Sequence, residues 1–304
     1  MKLLKNTYKN RTLLFMALPA VIIMILFSYV PMFGLVLAFK DFNFAKGIWG
    51  SDWCGLDNFK YLFLVGETAW RLTRNTVLYY IAFTITGTVG AVMLAIGINE
   101  MVLKKTGRMF QSFMILPTFI SYIAVSFVVY AFLKNDTGIL NRLIVSLGGD
   151  AIRFYQDDSK WPVILLIVNM WKNIGYSSVL YLSVLTGIDP NLYEAASIDG
   201  ASAKQKMWYI TLPMLVPMVI IRTLMGLGRI MHSDTGLFYQ VTKNSPALYD
   251  TTQVLDSYVL NAIMSSTDYG MTAATTFYQS VVGFIMVVGT NMIIRKISPD
   301  NALF

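Results

Sequence analysis

Two stretches of this 304-residue chain carry residue types with chemistry to offer. The first, NMWKNIGYSS at 169–178, sets Asn169, Lys172, Asn173 and Tyr176 at i, i+3, i+4 and i+7 within an otherwise apolar run. That spacing puts two amides, an ammonium and a phenol on one helical face. Amides and a phenol suit the hydroxyls of a sugar, and an aromatic ring can pack on a pyranose. The same four residues also suit a polar clamp between helices, with Lys172 paired to a carbonyl or a carboxylate. The second stretch, YEAASIDGASAKQKMWYITLPML at 193–215, sets carboxylates, lysines, a glycine and a proline between two long apolar runs. Its fixed charges and small side chains could meet another protein, or lie among lipid headgroups.

Catalytic chemistry has little to work with. One histidine, His232, excludes an H-E-x-x-H site, and one cysteine, Cys54, excludes an internal disulfide and a cysteine metal cage. No G-x-x-x-x-G-K-[ST] phosphate loop occurs, so any ATP must be hydrolysed by another chain. A membrane-embedded enzyme acting on glycans or lipids would need convergent carboxylates or histidines within the apolar runs, which hold neither.

The elements that position these residues follow from hydropathy. The chain is 56% hydrophobic and 13% charged, with a mean hydropathy of +0.57. A soluble domain is about 25% charged. Counted against about 20 residues per spanning helix, six apolar segments emerge, at 13–38, 75–98, 110–133, 161–187, 210–230 and 272–294. The predicted fold is therefore all-α, a single polytopic membrane domain over 1–304. An autonomous secondary transporter would usually show an internal inverted repeat and more helices. Six spans make half a pathway, and a second six-span chain is expected beside this one.

The net charge of +7 fits positive-inside topology rather than nucleic acid. The N-terminus, the loops near 99–109 and 188–209 and the C-terminal tail hold Lys2, Lys5, Lys9, Arg11, Lys104, Lys105, Arg108, Lys204, Lys206, Arg295 and Lys296. The opposite connections are longer and balanced by acids that include Glu67, Asp136 and Asp234. The basic set is expected to be cytoplasmic, with both termini. Two cations lie deeper. Lys172 falls roughly 15 Å along its helix from Pro162, near the midplane. Arg222 lies within the fifth span, and Arg229 nearer its outer end. No acid sits within any of the six spans to pair with them.

Residues 189–209 carry their own punctuation. Asp189 before Pro190 is a helix start, Gly200 suits a positive-φ terminator, and Ser202 can cap a second helix running into the fifth span. The result is helix, tight turn, helix on the cytoplasmic surface, with Pro213 bending the second helix at the membrane.

The pattern E-A-A-x-x-D-G-A-(x)8-I-x-L-P, from Glu194, Ala195 and Ala196 through Asp199 and Gly200 to Pro213, resembles the EAA motif of binding-protein-dependent ABC importer permeases. Met207 stands where that family usually has an aromatic residue, and can fill the same space. GLDNF at 55–59 and RNT at 74–76 resemble the carbohydrate branch, similar to the maltose and glycerol-phosphate permeases and most like the Gram-positive polysaccharide- and lipoprotein-associated ones. The resemblance implies a type I importer permease fold in the bacterial cell membrane. It implies that Glu194, Ala195, Ala196, Asp199, Gly200 and Met207 form a coupling helix seated in a groove of an ATPase. The cargo would be a carbohydrate, such as an oligosaccharide, or alternatively a non-sugar solute. The implied partners are a second permease in a heterodimer, two ATPase subunits holding ATP and Mg, an extracellular lipid-anchored solute-binding protein, and membrane lipids, with no nucleic acid and no cofactor in this chain. By spacing upstream of Glu194, Asn169 and Tyr176 match sugar-facing positions of the maltose relative. Lys172 and Asn173 also fall at such positions, with different residue types. Arg222 joins them as a pathway candidate. The relatives' polar positions near it are replaced here by Gly226 and Ile230.

Overall fold

The computed structural model describes residues 11–64, 68–101, 104–265 and 268–297. Lys2, Lys5, Lys9, Glu67 and Asp300, among the charges used to orient the chain, lie outside the described residues. Helix dominates, and the one sheet among the described residues is a two-stranded antiparallel ribbon pairing Lys40 with Trp53 and Asp41 with Asp52. The chain divides into two compact units, Met1–Thr68 with Asn261–Gln279, and Ala69–Leu260 with Ser280–Phe304.

In the first unit, α1 (Arg11–Met24) continues through a π turn (Ile25–Tyr29) into a 3-10 stretch (Val30–Phe39). Together these give a candidate span at Phe15–Phe39, close to the expected 13–38. Pro31 lacks an amide hydrogen, which favours leaving the α ladder here. The ribbon then doubles back, and buried Lys40 donates from Nζ to the carbonyls of Ile48 (3.0 Å) and Trp49 (2.9 Å). The GLDNF stretch opens α2 (Asp57–Leu64). Asn58 donates to the carbonyls of Leu37, Ala38 and Lys40 at 3.3, 3.1 and 2.9 Å, which secures the end of the first span.

The second unit draws on α3 (Thr68–Asn99), α4 (Lys104–Phe119), α5 (Tyr122–Leu133), α6 (Ile139–Ser146), α7 (Trp161–Leu185), α8 (Pro190–Ile198), α9 (Ala203–Lys206) and α10 (Leu212–Leu227). The chain closes with α11 (Leu255–Ser265) and α12 (Tyr269–Ile297). Among the described residues five helices are long and apolar enough to cross a membrane, and a bent pair makes a sixth.

Two expectations change. The third span is not one helix over 110–133: it breaks between α4 and α5 with a bend of 99°. Pro117 cannot donate to the ladder, and Ser121 goes extended (φ −63°, ψ 149°) so that its Oγ accepts from Ala124 N at 3.3 Å. The second span starts at Thr68 rather than 75. Pro213 follows a π turn at Met207–Thr211 inside a helix that runs on from Ala203 to Leu227, with Leu212 N–H stepping back five residues to Met207 O just before the proline's missing donor. The segment 231–271 contains a π turn (Gly236–Val241) and the whole of α11.

Two apolar clusters hold this unit. One gathers Trp161, Leu165 and Val168 of α7 with Tyr79, Val125, Leu237 and Phe238. The other gathers Ala91 and Ala95 of α3 with Tyr181, Leu185 and Leu215. Lipid tails are as apolar as these side chains, so close fit rather than water exclusion supports the contacts. Small residues allow that fit: a Cβ on Gly90 would lie 2.3 Å from Ile174 Cδ1.

Candidate functional site

The helix–turn–helix at 189–211 follows its sequence signals. Asp189 accepts from Asn191 N at 3.0 Å, and Pro190 starts α8. Gly200 takes φ +78°. Its N–H bonds Ser197 O (3.1 Å), and Ala201 N–H bonds Ala196 O (2.9 Å), a Schellman closure of the helix. Ser202 and Gln205 form a capping box, with Ser202 N to Gln205 Oε1 at 2.8 Å and Gln205 N to Ser202 Oγ at 3.3 Å. Lys206 Nζ then donates to Ser197 Oγ (2.6 Å), and Tyr193 OH lies 3.0 Å from Thr211 Oγ1. These last two ties join the turn to the membrane helix, and spacing gave no sign of them. Glu194, Ala195, Asp199 and Gly200 are exposed, Ala196 is half-buried, and Met207 is half-buried in the π turn. Ile198, four residues after Glu194, is the most exposed apolar side chain of the segment at 86%.

A cavity of about 650 Å³ lies within the second unit, between α3, α7, α10 and residues 229–238. Asn169 and Asn173 line it, with Asn173 Nδ2 donating to Asn169 Oδ1 at 2.8 Å. Arg222 lines it too, and donates to Ser177 Oγ (2.6 Å) and Tyr181 OH (3.4 Å). Tyr79, Tyr80, Phe83 and Tyr122 add aromatic walls.

The predicted polar face is therefore divided. Asn169 and Asn173 come together with Arg222, and the lining face of α7 continues to Ser177 rather than to Tyr176. Tyr176 is 60% exposed and does not line the cavity. Lys172 is buried and turned away: Nζ donates to the carbonyls of Pro117 (3.2 Å), Thr118 (2.9 Å) and Ile120, 4.8 Å from the Tyr122 ring centroid. The clamp alternative describes its geometry, with carbonyls as partners. Arg229, Asp234 and the aromatic walls on α3 also line the cavity. Aromatics in an apolar helix give no sequence signal of which way they point.

The RNT stretch scaffolds this site. Buried Asn75 donates to the carbonyls of Asp250 (3.0 Å) and Gln253 (3.1 Å), and Thr76 Oγ1 accepts from Leu255 N at 3.1 Å. Tyr79 OH donates to Thr251 O at 2.9 Å. One turn of α3 thus holds 250–255 in place.

Residues 87–299 match the family described as "Binding-protein-dependent transport system inner membrane component". The chain belongs to that family. It is a multi-pass permease subunit of an ABC importer, with no catalysis of its own, and ATP is hydrolysed by a separate subunit. The permease is 30% identical to Protein LplB of Bacillus subtilis (strain 168), over 96% of this chain and 91% of that one. It is also 30% identical to the polygalacturonan/rhamnogalacturonan transport system permease protein YteP of the same organism, over 99% and 92%. Among solved structures it resembles a chain of a bacterial ABC transporter involved in import of the acidic polysaccharide alginate, with a TM-score of 0.85 and 30% identity over 98% of this chain and 100% of that one. A second such structure, in complex with an alginate pentasaccharide-bound periplasmic protein, gives 0.85 and 29% over 98% and 99%.

Proposed function

We propose that this permease passes an acidic oligosaccharide from an extracellular solute-binding protein into the cytoplasm by alternating access. The observation that carries the reading is Arg222 on the cavity wall. Its guanidinium is held by two hydroxyls, Ser177 and Tyr181, and forms no ion pair among the described residues. Burying a cation at bilayer depth costs at least about 2.5 kcal/mol on insertion scales, and a passing carboxylate would offset that cost. The neighbouring Asn169–Asn173 pair leaves amide groups for sugar hydroxyls, and the aromatic walls suit pyranose faces. Lys172, its three protons committed to carbonyls, has no part in charge recognition.

In this reading Glu194, Ala195, Ala196, Asp199, Gly200 and Met207 meet the ATPase on the cytoplasmic side, where both termini also lie. A different six-span chain completes the pathway, two ATPase subunits hold ATP and Mg, and a lipid-anchored binding protein delivers the cargo. Names of relatives that carry alginate and rhamnogalacturonan support an acidic cargo by analogy.

The test is uptake by the reconstituted complex of labelled tri-galacturonate and of a neutral galacto-trisaccharide. Wild type should prefer the acidic sugar. Arg222→Met should lose about tenfold or more of that uptake, the worth of one charge-assisted hydrogen bond of about 1.5–3 kcal/mol, and leave neutral uptake unchanged. Preference for the neutral sugar, or equal losses for both, would overturn the acidic reading.

A further inference from the structure

The break in the third span is secured from the fourth. Past Pro117 the α4 ladder ends, and Ala124 N–H turns to Ser121 Oγ instead of Ile120 O. Lys172 Nζ gathers the carbonyls of Pro117, Thr118 and Ile120. Thr118 Oγ1 returns a bond to Lys172 O at 2.7 Å. One turn later the α4 and α7 backbones touch: a Cβ on Gly175 would lie 1.8 Å from Met114 O. Neither helix can slide past the other without breaking these contacts.

Beyond the break the chain faces the cavity. Tyr122, the first residue of α5, lines it and lies under the Lys172 ammonium. Gly236 packs on Tyr122, where a Cβ would lie 2.6 Å from Cδ2. Gly236 opens the π turn whose Leu237 and Phe238 also line the cavity. At its other end α7 runs through residues 186–189 directly into α8.

We propose that Lys172 is a positioning residue that carries the coupling stroke: displacement of α8 moves α7, and Lys172 makes α5 and the 236–241 turn follow. The inference rests on the ATP-driven importer reading. A continuous chain of contacts with a break in the middle is where two helix halves would otherwise move separately. Three charge-assisted bonds on one ammonium make them move as one. The apolar cluster of Trp161, Leu165 and Val168 with Val125, Leu237 and Phe238 would remain without the ammonium, so its loss loosens the link at the break and does not sever it.

The experiment measures sugar imported per ATP hydrolysed in the reconstituted complex, using tri-galacturonate or the neutral galacto-trisaccharide, whichever wild type carries better. Lys172→Met should co-purify with its partners and hydrolyse ATP, while sugar per ATP falls by about twofold to thirtyfold, the range of coupling-pathway substitutions. Lys172→Arg, which keeps the charge and donors, should recover part of the loss. Hydrogen exchange gives a substrate-free readout: ATP with vanadate should change exchange at 236–241 in wild type and change it less in Lys172→Met, and an equal change in the two overturns the proposal. Should Lys172→Met fail to assemble, Thr118→Val removes only the return bond and should show the same effects at smaller size. An unchanged sugar-to-ATP ratio in the variant that assembles, or transport and hydrolysis falling in proportion, overturns the proposal. Failure of wild type itself to import either sugar on ATP overturns the importer reading instead.

Discussion

Gly200→Val should weaken ATPase attachment through backbone conformation alone. Gly200 sits at φ +78°, and a Cβ placed there meets nothing within 4 Å. Steric crowding by neighbours is thus removed from the comparison. A β-branched residue in the left-handed region costs about 1–3 kcal/mol. The turn can escape that strain only by releasing the Gly200–Ser197 and Ala201–Ala196 bonds, each worth about 0.5–1.5 kcal/mol net. Opening of the free turn, which must close again to dock, gives up to about 1–3 kcal/mol, or about fivefold to 150-fold weaker attachment. The assay is ATPase titration onto the purified permease pair, with stimulated ATP hydrolysis as a second reading. Substituents should rank by their tolerance of positive φ, with Asn nearest glycine, Ala intermediate and Val worst. Membrane insertion should not change. Asn as damaging as Val would refute the conformational reasoning, and wild-type attachment in Gly200→Val would remove the coupling assignment itself.

Two further outcomes rest on geometry outside the turn. Asn75→Ala should strip the Gln253 carbonyl of its Asn75 donor, costing about 1–3 kcal/mol, and leave the Asp250 carbonyl with only Arg74 at 3.5 Å; hydrogen exchange across 250–257 should rise while α10 stays protected. The Asp157 carboxyl is held down at about 2, first by its hydrogen bond to Lys160 and then by Ser159, against an ordinary value of 3.8. A depressed folded-state value stabilises above the unfolded value and is lost as pH falls through the folded one. Asp157→Asn should therefore lower the Tm at pH 7, and the gap to wild type should narrow between about pH 4 and pH 2.

The turn at 189–202 was legible because its signals are local: a carboxylate before proline, a glycine at the stop, a serine three residues before a glutamine. The first and fourth spans were legible because hydropathy alone sets them. The break in the third was not. Pro117 announces a bend, yet the extended residue is Ser121, and the ammonium that gathers the carbonyls before it comes from Lys172, 52 residues on from Ile120. The polar face of α7 was half legible. Asn169, Lys172, Asn173 and Tyr176 share a face by count, but which part of it borders the cavity depends on α3 and α10. Asn75 stood out in RNT, whereas its partners are backbone carbonyls of 250 and 253, which no side-chain pattern can announce.

The 99° bend also bears on the bilayer around the protein. By hydropathy α4 and α5 together count as one crossing, but two rods at that angle cannot both run along the membrane normal. The 16 residues of α4 reach about 24 Å, short of a hydrocarbon core of about 30 Å. Lipid beside the third span meets a short hydrophobic wall that ends in a turn, where its neighbours meet full-length helices. A helix that falls short in this way is accommodated by local thinning of the bilayer. The permease therefore presents an uneven hydrophobic belt, and shorter acyl chains match its third crossing better than longer ones.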